Sequence, residues 1–209
     1  MVADKRRGLI YSISSPSGAG KTSLIKALLA QLPQLEVAVS HTTRPKRPAE
    51  VDGKHYHFLT VDEFKAQQEA GDFIESAEVF GHYYGTSIHA IEKPLKAGHD
   101  VLLDIDWQGA NSIKSIYHDM AIGIFILPPS REDLLKRLQG RGQDSEEVID
   151  HRMQNAKNEI QHYTEYDYLV VNADFDKALD ELISILTTYR LRRQWQAQEQ
   201  HDLLAELLA

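Results

Sequence analysis

The sequence contains no cysteine. Disulfide cross-links, thiolate metal sites and thiol nucleophiles are therefore excluded. The usage fits a reducing compartment, so a cytoplasmic location is expected. Long hydrophobic runs are missing too. The N-terminal stretch MVADKRRGLIYSIS carries charge but only a short apolar run, cut off at once by SSPSG. No signal-peptide core is expected there, and no segment reaches the roughly 18 apolar residues of a membrane span. Positive charge is scarce: 23 Lys and Arg face 31 Asp and Glu, a formal net charge of −8. That argues against a general nucleic-acid binder, which needs a basic face.

What is present is a globular composition, 42% hydrophobic and 26% charged over 209 residues, sized for one domain with room for inserted subdomains. The charge is uneven. Residues 1–47 hold eight Lys or Arg against Asp4 and Glu36, while the remainder holds 15 cations against 29 acids. A basic end on an acidic chain suits capture of a small anion, or it is a solvated N-terminus.

Apolar runs of strand length alternate with helical patterns. Strands are expected at residues 8–14, 37–40, 100–106, 122–127 and 168–172. Helices are expected at residues 22–32, 108–117, 131–139, 146–163 and 177–198. This alternation predicts an α/β fold, three layers α/β/α around a central parallel sheet. Two stretches break the rhythm. Residues 41–91, with turn signals at Pro45, Pro48, Asp52-Gly53 and Gly81, read as a small mixed β-rich insertion with one helix near residues 61–71. Residues 130–153, with Gly140 and Gly142, read as a helical flap. The core is then residues 1–40, 92–129 and 154–209. Pro94 should kink or end any helix over SIHAIEKPLKAG. The C-terminal LRRQWQAQEQHDLLAELLA reads as an amphipathic helix that packs on the core or mediates self-association, which leaves a homo-oligomer open.

The strongest local signal is Ser15-Pro16-Ser17-Gly18-Ala19-Gly20-Lys21-Thr22, placed between a strand and a helix. That is the context of a phosphate-binding loop. Glycines let backbone N–H groups converge on phosphate oxygens, the helix N-terminus adds positive potential, Lys21 reaches terminal phosphates and the Thr22 hydroxyl can ligate Mg²⁺. Ser15 stands where the usual pattern has its first glycine. A second cationic cluster, Ser40-His41-Thr42-Thr43-Arg44-Pro45-Lys46-Arg47, follows the second expected strand. Two arginines three apart beside hydroxyls suit bidentate capture of another phosphate.

These features, with EVDGKHYHF, FIESAEVFGHYYGTS, LDIDWQGA, PPSREDLLKRLQGRG and YLVVN, closely resemble the bacterial guanylate kinase family over essentially the whole chain. The resemblance implies an ATP:GMP phosphotransferase with a nucleoside-monophosphate-binding insertion and a lid. It implies that Ser40, Arg44, Arg47, Tyr56 and Tyr84 hold the GMP phosphate, and that Glu75 and Thr86 read guanine with Asp106 and Asp104 nearby. It also implies that Arg137, Arg141 and Arg152 are lid arginines, and that Asn172 lies near the adenine. Lys21, Arg44 and the lid arginines form the catalytic set. Arg131 is not placed in the site by the resemblance.

The chemistry agrees. A carboxylate at Glu75 can accept from guanine N1–H and the exocyclic amine together, whereas adenine offers it a bare N1 lone pair. Such a site can discriminate by about 10⁴–10⁵. Read alone, Glu75 is an ordinary exposed acid. Asp104 and Asp106 alternate on a strand and face the same way. They can bind Mg²⁺ through water or orient a phosphate-binding group, or Asp106 can simply cap the helix that follows. The expected reaction transfers the ATP γ-phosphoryl directly to GMP or dGMP, with Mg²⁺ and without a general base. Two alternatives are a monophosphate kinase of other base specificity and an inactive guanylate-kinase-like binding module. The intact Gly20-Lys21-Thr22 speaks against the second.

Overall fold

The computed structural model describes residues 7–79, 81–140 and 146–209. Five parallel strands form the central sheet: β1 (Ile10–Ser14), β2 (Leu35–Val37), β7 (Asp100–Asp104), β8 (Ala121–Leu127) and β9 (Tyr168–Val171), in the spatial order β2-β7-β1-β8-β9. Strands buried on both faces need near-continuous apolar runs, and β1, IYSIS, is buried at every position.

The two faces are sorted by the alternation of side chains. Tyr11, Ile13 and Leu102 pack on Leu24 and Leu28 of α1 (Lys21–Gln31), on Leu182 and Leu186 of α7 (Phe175–Arg190), and on Trp195 of α8 (Arg193–Glu199). Ile10, Val101 and Leu103 pack the other way, on Ile91 and Leu95 of α3 (Ile88–Ala97) and Ile113 of α4 (Trp107–Tyr117). The expected three-layer α/β/α arrangement is what forms.

A second, mixed sheet sits beside the first. It joins β3 (His41–Thr42), β4 (His57–Phe58), β5 (Phe73–Val79) and β6 (His82–Ser87) in the order β4-β3-β6-β5, with β3 parallel to β4 and the other pairs antiparallel. Its helix α2 (Val61–Glu69) begins in a capping box: Thr60 accepts from the Glu63 N–H while the Glu63 carboxylate accepts from the Thr60 N–H, a reciprocal arrangement that closes two free donors. Phe64 of α2 is fully buried and stacks on Phe73 and Tyr83.

Three expectations need correction. The second strand runs over Leu35–Val37 rather than residues 37–40. After the Ala38 N–H bonds to the Leu102 carbonyl the chain leaves for the second sheet, where the Ser40 carbonyl accepts from His57 N–H. Pro94 does not break α3, which runs through it to Gly98. Pro94 is itself buried on the stripe with Ile91 and Leu95, and that apolar burial offsets the absent N–H. The C-terminal segment forms two short helices, α8 and α9 (His201–Leu207), broken at Gln200. Trp195 is buried on the core while Leu203, Leu204, Leu207 and Leu208 stay exposed. Among the described residues no helix is long and apolar enough to cross a membrane.

One buried ion pair ties the sheet to α7. Asp100, 1% exposed, accepts from the Leu9 N–H at 3.0 Å and from Arg190 Nε at 2.6 Å. Removing one member of a buried pair strands the other charge. Asp100→Ala should therefore cost about 3–5 kcal/mol of unfolding free energy by urea denaturation. A loss below about 1 kcal/mol would mean that the pair acts like an exposed one.

Candidate active site

The site lies where the topology says an α/β ligand site should, at the carboxyl ends of the strands where the order reverses around β1. The register pairs Ile13 with Asp104 and Ser14 with Phe125, so the ends of β1, β7 and β8 come to one edge. From there the second sheet rises opposite, and the cleft between them measures about 400 Å³.

One wall is the loop from Ser15 into α1. Gly18 and Gly20 both hold φ near +97°, a region costly to any residue with a Cβ. At Gly20 the conformation and the space both require glycine: a Cβ there would sit 2.3 Å from Asn172 Nδ2. Asn172 is buried and donates to the Ala19 carbonyl at 2.7 Å. Arg137 joins it, donating through Nη1 to the same carbonyl at 3.2 Å and through Nη2 to the Asn172 carbonyl at 2.8 Å. Arg137 lies on α5 (Arg131–Gln139), whose Leu134 and Leu138 pack over Gly18 and against Ala156 of α6 (Glu146–Ile160). With the loop fixed, the first N–H groups of α1 open to the cleft as anion donors. Lys21 Nζ meets Asp104 Oδ1 at 2.5 Å.

The opposite wall comes from the second sheet. Glu75 and Thr86 face each other across β5 and β6, and Thr86 is fully buried and shares a 3.0 Å hydrogen bond with Ser40. Glu75 is only 8% exposed. Burial pushes its carboxyl up to about 7, the Thr86 hydrogen bond pulls it down, and the charge of Asp106 raises it further. The carboxylate reaches over the first turn of α4. A Cβ on Gly109 would come within 2.9 Å of Glu75 Oε2. Asp106 caps that helix, accepting from the Gly109 N–H at 3.0 Å, and also lines the cleft. Its two readings are thus compatible. Burial raises the Tyr56 phenol above its usual range, so it remains a neutral hydrogen-bond group.

The structure gathers most of the expected residues. Ser15, Pro16, Ser17, Gly18, Gly20, Lys21, Thr22, Ser40, Arg47, Tyr56, Glu75, Tyr84, Asp104, Asp106 and Arg152 line the cleft. Ala19, Thr86, Arg44, Arg137 and Asn172 are not among its lining residues. Arg44 is paired in bidentate fashion with Glu50 at 3.1 and 2.7 Å, with its guanidinium near the Tyr56 and Phe58 rings. Arg141 lies outside the described residues. Arg131 lines a different groove, a largely apolar space of about 880 Å³ between α5 and α6, which lacks the convergent donors of the loop.

Three residues escape sequence reasoning. Glu50 follows two arginines in an acidic chain and carries no periodic signal. Trp107 lines the cleft and stacks face to face on His162, with centroids 3.7 Å apart and planes 5° off parallel. The third is Glu159 of α6, whose Oε2 is shut off from solvent and meets no hydrogen-bond donor. Burial pushes its carboxyl up to about 7, with Lys21 opposing and Asp106 adding.

The folded state therefore binds a proton at Glu159 that the unfolded chain releases near the ordinary carboxylate value of 4.5. Its contribution to stability falls as pH rises through that interval and is least favourable above about 7. Glu159→Gln should accordingly stabilise the fold at pH 8 more than at pH 5 in urea titrations. Equal shifts at both pH values would show that the carboxyl ionises normally.

The guanylate kinase family model matches residues 5–189. A guanylate kinase from Shewanella sp. (strain MR-7) is 56% identical over 204 residues, covering 97% of this chain and 98% of that protein. One from Hahella chejuensis is 57% identical over 186 residues, 89% of each. The crystal structure of guanylate kinase from Anaplasma phagocytophilum superimposes with a TM-score of 0.76 at 34% identity, covering 90% of this chain and 89% of that one. With the phosphate-type loop, the mixed second sheet and likeness along nearly the full length in agreement, the chain belongs to the guanylate kinase family.

Proposed function

We propose that the protein transfers the γ-phosphoryl group of ATP to GMP, and to dGMP, giving ADP and GDP, a step of purine nucleotide metabolism. The observation that carries this reading is one cleft holding both the Ser15–Thr22 loop and a buried carboxylate, Glu75, supported by Thr86. The loop and Lys21 receive the triphosphate. Ser40, Arg44, Arg47, Tyr56 and Tyr84 receive the acceptor phosphate. Glu75 and Thr86, with Asp106 near, read guanine, whose adjacent N–H donors suit a carboxylate. Residues 41–91 then act as the acceptor-binding unit, residues 130–153 as the lid, and the rest as core.

A phosphate monoester has a second pKa near 6, so the attacking oxygen of GMP is already ionised near neutrality and needs no general base. The chain's task is to bring two polyanions into line, offset their repulsion and exclude water. Arg44 and Arg47 act on the acceptor; Lys21, Arg152 and Arg141 act on the donor. Arg137 reaches the transferring group only by releasing the Ala19 and Asn172 carbonyls. Asn172 supports the loop beside the adenine.

The Thr22 hydroxyl and, through water, Asp104 or Asp106 would hold Mg²⁺. Thr22 is exposed to the cleft and Asp104 stands beside Lys21. Among the described residues no group of three acids or histidines could hold a metal unaided. That donor set fits a magnesium ion whose other ligands are phosphate oxygens and water. When bound, the ion neutralises phosphate charge.

ADP release should be measured with GMP, dGMP, AMP and UMP as acceptors. GMP and dGMP should be turned over and AMP and UMP not, and preferred use of AMP or UMP would overturn the base assignment. Lys21→Ala should abolish turnover with the circular-dichroism spectrum unchanged, because the loop loses its one reaching cation; full activity would refute the loop's role. Glu75→Ala should raise KM for GMP well above any change for ATP, and an equal rise for both would remove Glu75 from base reading.

A further inference from the structure

Glu50 holds the Arg44 side chain and the Arg47 backbone. The two carboxylate oxygens of Glu50 take Arg44 Nη1 at 3.1 Å and Nη2 at 2.7 Å. Oε2 also accepts the Arg47 backbone N–H at 2.8 Å, and the Glu50 N–H returns a bond to the Arg47 carbonyl at 3.0 Å. Arg44 and Glu50 side chains are only 14% and 15% exposed, so water does not compete freely for the pair. Arg44 Nη1 makes a further bond to the Pro45 carbonyl at 2.8 Å.

A guanidinium has five N–H donors in a rigid plane. The bonds to Glu50 and Pro45 use both protons of Nη1 and the Nη2 proton facing it. What remains is the Nε–H and the outer Nη2 proton, which lie side by side on one edge. Tyr84 interacts with Arg44 and itself lines the cleft together with Tyr56 and Arg47.

We propose that Glu50 is a positioning residue for the acceptor phosphate: it occupies the end of the Arg44 fork, leaves the Nε edge clear of the carboxylate, with Arg44 beside the cleft-lining Tyr84, and holds the Arg47 backbone in the same turn. The proposal rests on the reading that Arg44 and Arg47 receive that phosphate. Glu50 touches neither substrate nor reacting atoms. It acts through Arg44, by removing rotational freedom that a long cationic side chain otherwise loses on binding, and through Arg47, by fixing the backbone from which that side chain extends.

The test compares GMP with guanosine, which lacks the phosphate, by calorimetric titration of the full chain. Glu50→Ala should weaken GMP binding about tenfold or more, the scale of a charge-assisted bond, and leave guanosine binding unchanged. KM for GMP should rise while kcat and KM for ATP change little. Glu50→Gln keeps one oxygen for Arg44 and should fall between wild type and Glu50→Ala. Equal loss for GMP and guanosine would make Glu50 a general structural support and overturn the proposal. Unchanged or tighter GMP binding would overturn it too, the latter by making Glu50 a competitor for Arg44. Failure of the underlying reading looks different: wild type would then bind GMP no better than guanosine, which removes the phosphate assignment and this proposal with it.

Discussion

The carbonyl oxygen of Ala19 is the point on which the cleft is built. A loop that turns twice through positive φ has little reason to stay in one shape by itself, since the same glycines that permit the turn also permit many others. Here the Ala19 carbonyl is held from two directions, by the amide of Asn172 after β9 and by the guanidinium of Arg137 on α5. Those contacts join elements more than a hundred residues apart in sequence. They fix the peptide plane ahead of Gly20 and hence the direction of the helix that follows. The close approach of Asn172 also explains why residue 20 has no side chain. Loop, last strand and α5 are thus one assembly, although only the loop carries an obvious signature.

A second constraint is electrostatic. The cleft suits anions, yet Asp104, Asp106, Glu75 and Glu159 all line it. Each acid is managed differently. Asp104 is paired with Lys21, and one oxygen of Asp106 caps the first turn of α4. Glu75 is instead buried and Glu159 has one oxygen shut off from solvent, which favours their neutral forms. Net charge says nothing of this. The basic excess of residues 1–47 supplies Lys21, Arg44 and Arg47, while Arg152 comes from the acidic remainder.

Much of the architecture was legible because buried parallel strands must be apolar throughout and the helices between them must be amphipathic. The loop was legible because its chemistry demands a local pattern. What sequence reasoning could not reach are effects of distant neighbours. Nothing in SIHAIEKPLKAG announces that Pro94 will find an apolar wall that tolerates it. Gly109 looks like a weak point in a helix until Glu75, on another sheet, is seen to need the space. The sequence presents Arg44 and Arg137 as cations suited to phosphate, and the structure has both engaged, one by Glu50 and the other by two carbonyls. A charged side chain in a folded protein satisfies itself with whatever the fold supplies, and that supply is not written locally.

The pairing of Trp107 with His162 has a practical side. The chain has two tryptophans. Trp195, on α8, is buried in the core. Trp107 forms part of the cleft wall and lies flat against an imidazole, which in turn bonds Glu165 at 2.7 Å. The protein therefore carries its own optical label, one indole in the core and one at the cleft, with no dye attached and no cysteine on which to attach one.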